Sequence, residues 1–423
     1  MSHPPLPTVR AGFARLGISP PRDTPLIGYA FRYEQLGTGN EGPPDGEAAW
    51  PDGGPLYVRC MAIDAGGPAM VVSLDLATLE RGVARRLRQA VAERIGTSLE
   101  RVLICCTHTH SGPYPIGPGE EDEAIREDAV HREQEDAWSV KGRAYFEQLL
   151  PRVVTCAAMA AGKLVPMTLA AQQGSLGIGY VRRVPDGEGG VSFCWNPQEQ
   201  DDLPLVCSPD PTCTAVVLRQ VNGPRSIVLF NAGAHPVILG KTSNILSADW
   251  PGAACDIIER LCPGSRAMFA LGPCGDIHPW IATQEDPANI EPVATAAAGL
   301  VASLTHAARP VGESGALELH TAARTVTFGR VELDLVAWRL GQLRIIAAPV
   351  ELFSGLGARV RQALAPPLLI ATETNGRSGY WPTQKAFREG GYEVDIARNY
   401  GLEPGDGEKL AEVLISLVKE LDD

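Results

Sequence analysis

Residues Arg101 to Pro115 read RVLICCTHTHSGPYP. The first seven form a short apolar run of β-type residues, which reads as a buried strand. The run ends in Thr107-His108-Thr109-His110 and then breaks at Ser111-Gly112-Pro113, a loop signal. Two histidines two positions apart project to the same side of the chain wherever it stays extended. That spacing delivers two imidazoles into one cleft, where they can bind a metal, transfer a proton or donate a hydrogen bond near neutral pH. Taken alone, an H-x-H motif is equally an ordinary pair of polar loop residues.

Outward from this stretch, Val9 to Ser19 reads as a strand stopped by Pro20-Pro21. Leu56–Ala65 and Ala69–Leu76 read as neighbouring strands around Gly66-Gly67, and Leu79–Ile95 has helical periodicity. Strand, strand, helix, strand, with near-continuous apolar strands, predicts an α/β protein: a layered mixed sheet flanked by helices, with the active site in strand-end loops. Further on, Thr214–Gln220 and Ser226–Phe230 form a hairpin around Asn222-Gly223. Helices are expected at Tyr145–Gly162, Ala253–Leu261, Ala294–Ala308 and Gly407–Leu421, and strands at Ala267–Leu271, through 315–348 and at Leu368–Thr372. Gly28–Gly54 reads as a long functional loop, Gly117–Asp136 as an exposed acidic stretch, and Gly174–Pro211 as irregular. With no internal repeat and no linker-like stretch, residues 1–423 are expected to form a single domain.

Composition narrows the function. A formal charge of -13 argues against a nucleic-acid groove, which needs clustered Lys and Arg. No lysine-rich run suits an acidic membrane, and the most apolar stretch, Leu149–Ala171, is interrupted by Arg152, Lys163 and two prolines. Integral membrane association is therefore not expected. The partner expected is a small-molecule substrate; homo-oligomerisation stays open. The N-terminus lacks the pattern of a secretory signal, and ten cysteines occur without a C-x-x-C pair. Buried free thiols in a reducing compartment account for them, so the expected location is cytoplasmic.

One pattern recurs. Three apolar strands run directly into short Gly/Pro-rich loops carrying His108 and His110, His235, and His278. Ligands of α/β sheets gather beyond the carboxyl ends of strands. Two more strand-end loops carry Glu351 and Tyr380. A catalytic zinc takes three protein ligands and keeps one position open, so a carboxylate or a phenol could complete a shell begun by imidazoles.

From near residue 10 to near residue 400 the chain resembles the catalytic domain of the neutral/alkaline non-lysosomal ceramidase family. The carrying pieces are Thr107-His108-Thr109-His110-Ser111-Gly112-Pro113, His235, Gly275-Asp276, Pro349-Val350-Glu351, and Asn375 to Thr383. The heptad is specific, and the pieces fall in the family's order. The resemblance implies a catalytic Zn2+ held by His108, His235, Glu351 and Tyr380. Two departures stand out. His278 occupies the position of the family's catalytic serine, and the family's C-terminal immunoglobulin-like domain is not expected here.

The resemblance thus implies a metal-dependent amidohydrolase, in which a metal-activated water cleaves an amide, lactam or ester of a small molecule. His110 or His278 would donate to the developing oxyanion, and one of these or Tyr380 would protonate the leaving group. Asp276 would orient an imidazole, or else cap a turn. Arg182 and Arg183 would clamp a carboxylate or phosphate of the substrate, or else stand as a solvated pair. Three alternatives remain: a true ceramidase acting on N-acyl sphingoid lipids, hydrolysis by Cys105 or Cys106 near His108, and a metal-containing binding protein without catalysis.

Overall fold

The computed structural model describes residues 6–21, 24, 26–29, 55–117, 132–197, 205–243, 245–313 and 315–422. The long-loop expectation for Gly28–Gly54 lies almost wholly outside them; of the acidic stretch Gly117–Asp136, residues 118–131 lie outside and 132–136 begin a helix. A ten-stranded mixed sheet carries eight long strands: β1 (Pro7–Gly17), β2 (Tyr57–Asp64), β3 (Pro68–Leu74), β4 (Val102–Cys106), β5 (Val165–Ser175), β6 (Thr212–Gln220), β7 (Ser226–Ala232) and β8 (Ser265–Leu271). Their spatial order is β8-β7-β6-β5-β1-β2-β3-β4. The pairs β3/β4 and β7/β8 are parallel, and the Asn222-Gly223 hairpin joins β6 to β7 as expected. A second sheet holds β9 (Leu319–Phe328), β10 (Val331–Leu340), β11 (Leu343–Ala347) and β12 (Leu368–Ala371), with β11 and β12 parallel.

The two sheets and their helices make four layers. Helices α1 (Arg81–Ile95), α2 (Arg132–Ala161), α3 (Asp249–Leu261) and α4 (Ile290–Ala307) belong to the larger sheet. Val83, Leu87 and Val91 of α1 and Leu149, Val153 and Cys156 of α2 pack on Val58, Cys60 and Val72. Ile258 of α3 and Ala297 and Val301 of α4 pack on Val217, Val228 and Phe269. The opposite face of that sheet, through Val9, Met61, Leu169 and Leu229, meets Trp338, Ile345 and Leu369 of the second sheet. Beyond it lie α5 (Ser354–Ala363), α6 (Tyr392–Asn399) and α7 (Asp406–Lys419), which cover Leu333, Leu335 and Ile346. A strand buried on both faces must be apolar throughout. Accordingly Cys106 of β4 faces the helices while Cys105 faces the second sheet.

The larger sheet curls until its two edges share one neighbour. Ser73 of β3 donates to the Phe269 carbonyl of β8. The residues just after β12 then fill the seam: Thr372 N–H donates to Leu271 O, Cys106 N–H donates to Glu373 O, and Asn375 exchanges hydrogen bonds with Ile104. The carboxyl ends of β4, β7, β8, β11 and β12 therefore open into one space, each followed by a loop that carries a polar residue.

Candidate metal centre

The chain does not stay extended through the histidine motif. β4 ends at Cys106, and His108 sits at φ 69°, in the left-handed region that an L-residue with a Cβ enters at a cost. The extended-chain expectation is thus corrected. The two imidazoles meet because the backbone turns, with His108 Nε2 and His110 Nε2 3.3 Å apart. Several bonds hold this turn. His108 N–H donates to Leu76 O, Thr109 Oγ1 donates to Ser247 O at 2.6 Å, and His110 N–H donates to Pro236 O. Gly28 lies so close that a Cβ there would fall 2.4 Å from the His110 Cβ.

His235, at the end of β7, is fully buried, and its Nε2 lies 3.1 Å from Glu351 Oε2. The same oxygen is 3.5 Å from His108 Nε2. His108, His110 and His235 offer nitrogens all within 4.8 Å of one another, a group able to hold a metal ion. Glu351 is brought there by the loop after β11. Its strand Glu351–Leu352 pairs in parallel with Tyr380–Trp381, Glu351 opposite Tyr380. Gly275 packs beneath, and a Cβ there would lie 2.4 Å from the Glu351 carbonyl oxygen, which explains why this loop position lacks a side chain. Tyr380 borders the cluster with its ring 6.4 Å from that of His235, and the Arg182 guanidinium lies over that ring at 5.2 Å.

The tautomers decide what the cluster accepts. His108 Nδ1 is 2.7 Å from Ala77 O, and His235 Nδ1 is 3.0 Å from Ile277 O. A carbonyl oxygen only accepts, so both Nδ1 atoms carry hydrogen. In the neutral rings both Nε2 lone pairs then face the Glu351 carboxylate, acceptor against acceptor at each of these two contacts. Such a group is stable only with a proton or a cation in its midst, and imidazoles oriented by carbonyls are how proteins prepare metal ligands. The donor set fits a divalent transition-metal ion.

The charges follow the same geometry. Burial lowers the pKa of His108, but the Glu351 carboxylate outweighs this and leaves it raised. For His235, burial and then the Arg182 cation prevail, and its pKa falls to about 4. Glu351 is raised by burial and pulled far more strongly down by the two imidazoles. His110 and His278 are both driven well below the usual imidazole range, chiefly by burial.

The other expected residues divide. His278 stands next to His235, ring centroids 5.7 Å apart. Asp276 orients no imidazole in the hydrogen bonds it makes. Its Oδ1 accepts from Ser354 N–H at 2.7 Å, at the start of α5, so of its two expected uses the structure shows the capping one. Arg182 and Arg183 are not a solvated pair: both are buried and share Glu393, at 2.8 Å and 2.7 Å. Arg182 also donates to Gly275 O and bonds His278, and Arg183 donates to Gly390 O. Those hydrogen bonds go to the protein itself. Cys105 and Cys106 are buried with pKa raised, Cys105 to about 11, so neither supplies a ready thiolate.

Sequence reasoning passed over Glu373. It is buried in the seam at φ 45°, accepts from Thr78 Oγ1 at 2.5 Å, and burial lifts its pKa to about 7. The strand-end rule that found Glu351 would have found it too. Also missed were Phe193, Trp195 and Tyr392, aromatic residues of the mouth. Phe193 stacks on Trp195 at 4.3 Å and lies 5.4 Å from His278, and Tyr392 stands beside Tyr380.

Fold and site together define a four-layer α/β chain with a cluster able to hold a metal ion at its strand ends, and that fold is the neutral ceramidase fold. Neutral ceramidase from Pseudomonas aeruginosa superposes with a TM-score of 0.72 at 17% identity, over 98% of this chain and 74% of that one. A ceramidase complexed with C2 gives 0.73 at 15% identity, over 99% and 75%. By sequence, neutral ceramidase A of Dictyostelium discoideum is 23% identical over 211 residues. That match covers 49% of this chain and 27% of the relative, so the chain is matched to well under two thirds of that protein. No protein-family model matches. The resemblance expected from the sequence is the one these comparisons return.

Proposed function

We propose that the protein is a Zn2+-dependent amidohydrolase. The observation that carries this is that Glu351 Oε2 lies 3.1 Å from His235 Nε2 and 3.5 Å from His108 Nε2, with both Nδ1 atoms held by carbonyls. Imidazole nitrogen plus carboxylate oxygen is a zinc-type donor set. Zinc held there supplies Lewis acidity that makes water a usable nucleophile near neutral pH.

The chain's own groups do the rest. His108, His235 and Glu351 would hold the ion, with His110 as a further nitrogen beside them. The cluster is buried, so charge that develops on a substrate oxygen meets fixed dipoles in a low dielectric rather than water. The Tyr380 phenol borders the cluster, opposite Glu351 and with its ring 6.4 Å from that of His235. It is therefore available to protonate the departing nitrogen.

For the substrate, the named relatives favour an N-acyl amide of the ceramide type over a small soluble amide. The aromatic mouth supports an apolar substituent: Trp195 and Tyr392 are 46% and 47% exposed beside an otherwise buried site. The test is hydrolysis of N-acyl sphingosines and of short N-acyl amines by protein reconstituted with zinc. Faster cleavage of the long-chain substrates, abolished by a chelator and restored by zinc, is the expected result. Cleavage that is indifferent to chelation would refute the proposal.

A further inference from the structure

His278 stands where the family to which the chain is similar has a serine, and its surroundings specify which of its nitrogens carries hydrogen. Arg182 lies in the short connection between strands Gly179–Val181 and Arg183–Pro185, and His278 lies on the strand Ile277–Pro279 paired with the first of these. The guanidinium is fixed at three corners. Nε donates to Glu393 Oε1 at 2.8 Å, Nη2 donates to Gly275 O at 2.8 Å, and Nη1 lies 3.0 Å from His278 Nε2. A guanidinium has N–H groups and no accepting lone pair. At that contact Arg182 must donate and His278 Nε2 must accept.

The ring cannot answer by turning over. A flip about Cβ–Cγ would set a carbon against the Arg182 N–H and lose the bond. Aromatic neighbours also frame the imidazole: Tyr180 is perpendicular at 6.2 Å, and Phe193 is edge-on at 5.4 Å with the Arg182 guanidinium over its ring at 4.6 Å. His278 Nδ1 is buried, facing the Trp195 main chain without a well-formed hydrogen bond. The nitrogen that must carry the hydrogen is thus the buried one for which no well-formed hydrogen bond is found among the described residues.

We infer that Arg182 fixes His278 as its Nδ1–H tautomer, so that His278 serves as a stationary hydrogen-bond donor to a substrate oxygen and not as a proton acceptor. The tautomer stands on geometry alone; the substrate oxygen, an amide carbonyl or a hydroxyl, rests on the amidohydrolase reading. Arg182 acts through His278 and is a positioning residue.

The decisive measurement is the two-bond 1H–15N spectrum of the full chain with 15N-labelled histidine, His278 being assigned by its absence in His278→Asn. The expected pattern is a protonated-type shift on Nδ1 and a bare-type shift on Nε2. A hydrogen on Nε2, or rapid averaging of the two, overturns the inference. Should His278→Asn fail to fold, a neutron structure of the wild-type protein locates the same hydrogen. For the donor role, an asparagine amide reproduces an Nδ1–H and a glutamine amide reproduces an Nε2–H. With an N-acyl sphingosine as substrate, His278→Asn should keep kcat/KM about tenfold above His278→Ala, the worth of one hydrogen bond, while His278→Gln falls with the alanine variant. Equal loss in all three overturns the donor role. Absence of turnover on any amide refutes the amidohydrolase reading and the donor role with it, while the nitrogen spectrum still decides the tautomer.

Discussion

Glu393 is the single carboxylate on which Arg182 and Arg183 converge, and replacing it should be felt throughout the site. The residue is 1% exposed, and its two oxygens lie 2.8 Å and 2.7 Å from the two guanidiniums. Glu393→Ala takes the shared carboxylate from both buried guanidiniums, leaving Arg183 with Glu389 at 3.7 Å. Breaking a buried pair by removing one partner costs about 3–5 kcal/mol. Unfolding entropy near the midpoint is about 2.1 cal/mol/K per residue, or about 0.9 kcal/mol/K for a chain of this length. The midpoint should therefore fall by about 3–6 °C in differential scanning calorimetry at pH 7. Glu393→Gln keeps the shape and an acceptor and should lose less.

The pH dependence of that difference has a definite sign. Burial raises the Glu393 pKa, but Arg182 and then Arg183 pull it below its ordinary 4.5. Its contribution is thus complete above the unfolded-state value and disappears as pH falls through the folded-state value. The gap between wild type and Glu393→Ala should stay constant from pH 6 to 8 and close in acid. A gap under about 1 °C at pH 7, against the buried-pair expectation, would refute this account of how Arg182 is held.

Two further outcomes follow from the same geometry. Cys207 is the exposed thiol and the other nine cysteines are buried, so iodoacetamide should modify one thiol per native chain by mass spectrometry, with hydrolysis intact. Activity lost to alkylation yet spared by chelators would restore the cysteine reading. Asp276→Ala removes the acceptor for Ser354 N–H at the start of α5 and should cost about 1–2 kcal/mol, with Asp276→Asn retaining most of it, as read by thermal unfolding.

How much of this was legible in the sequence varies with the range of the interaction. The strand carrying the histidines was readable because β4 is buried on both faces and so reads as an unbroken apolar run. His235 and Glu351 were readable as polar residues where apolar strands stop. The turn at His108 was not, because its left-handed φ is imposed by partners at Leu76, Pro236 and Ser247. The Ala77 and Ile277 carbonyls that set the imidazole tautomers have no side-chain signature at all. Arg182-Arg183 looked like a surface pair because their counter-ion, Glu393, lies 210 positions away in the sequence. Gly174–Pro211, read as irregular, contains the short strands Gly179–Val181, Arg183–Pro185 and Val191–Phe193, each too brief to show periodicity.

The central claim concerns what sits among His108, His235 and Glu351, and anomalous diffraction at the zinc edge from crystals of the zinc-loaded protein tests it most directly. One peak is predicted, about 2.0–2.2 Å from His108 Nε2, His235 Nε2 and a Glu351 oxygen. It should be missing from His108→Ala crystals grown in the same way. Zinc bound elsewhere, or an intact cluster that holds no ion at saturating zinc, would contradict the account.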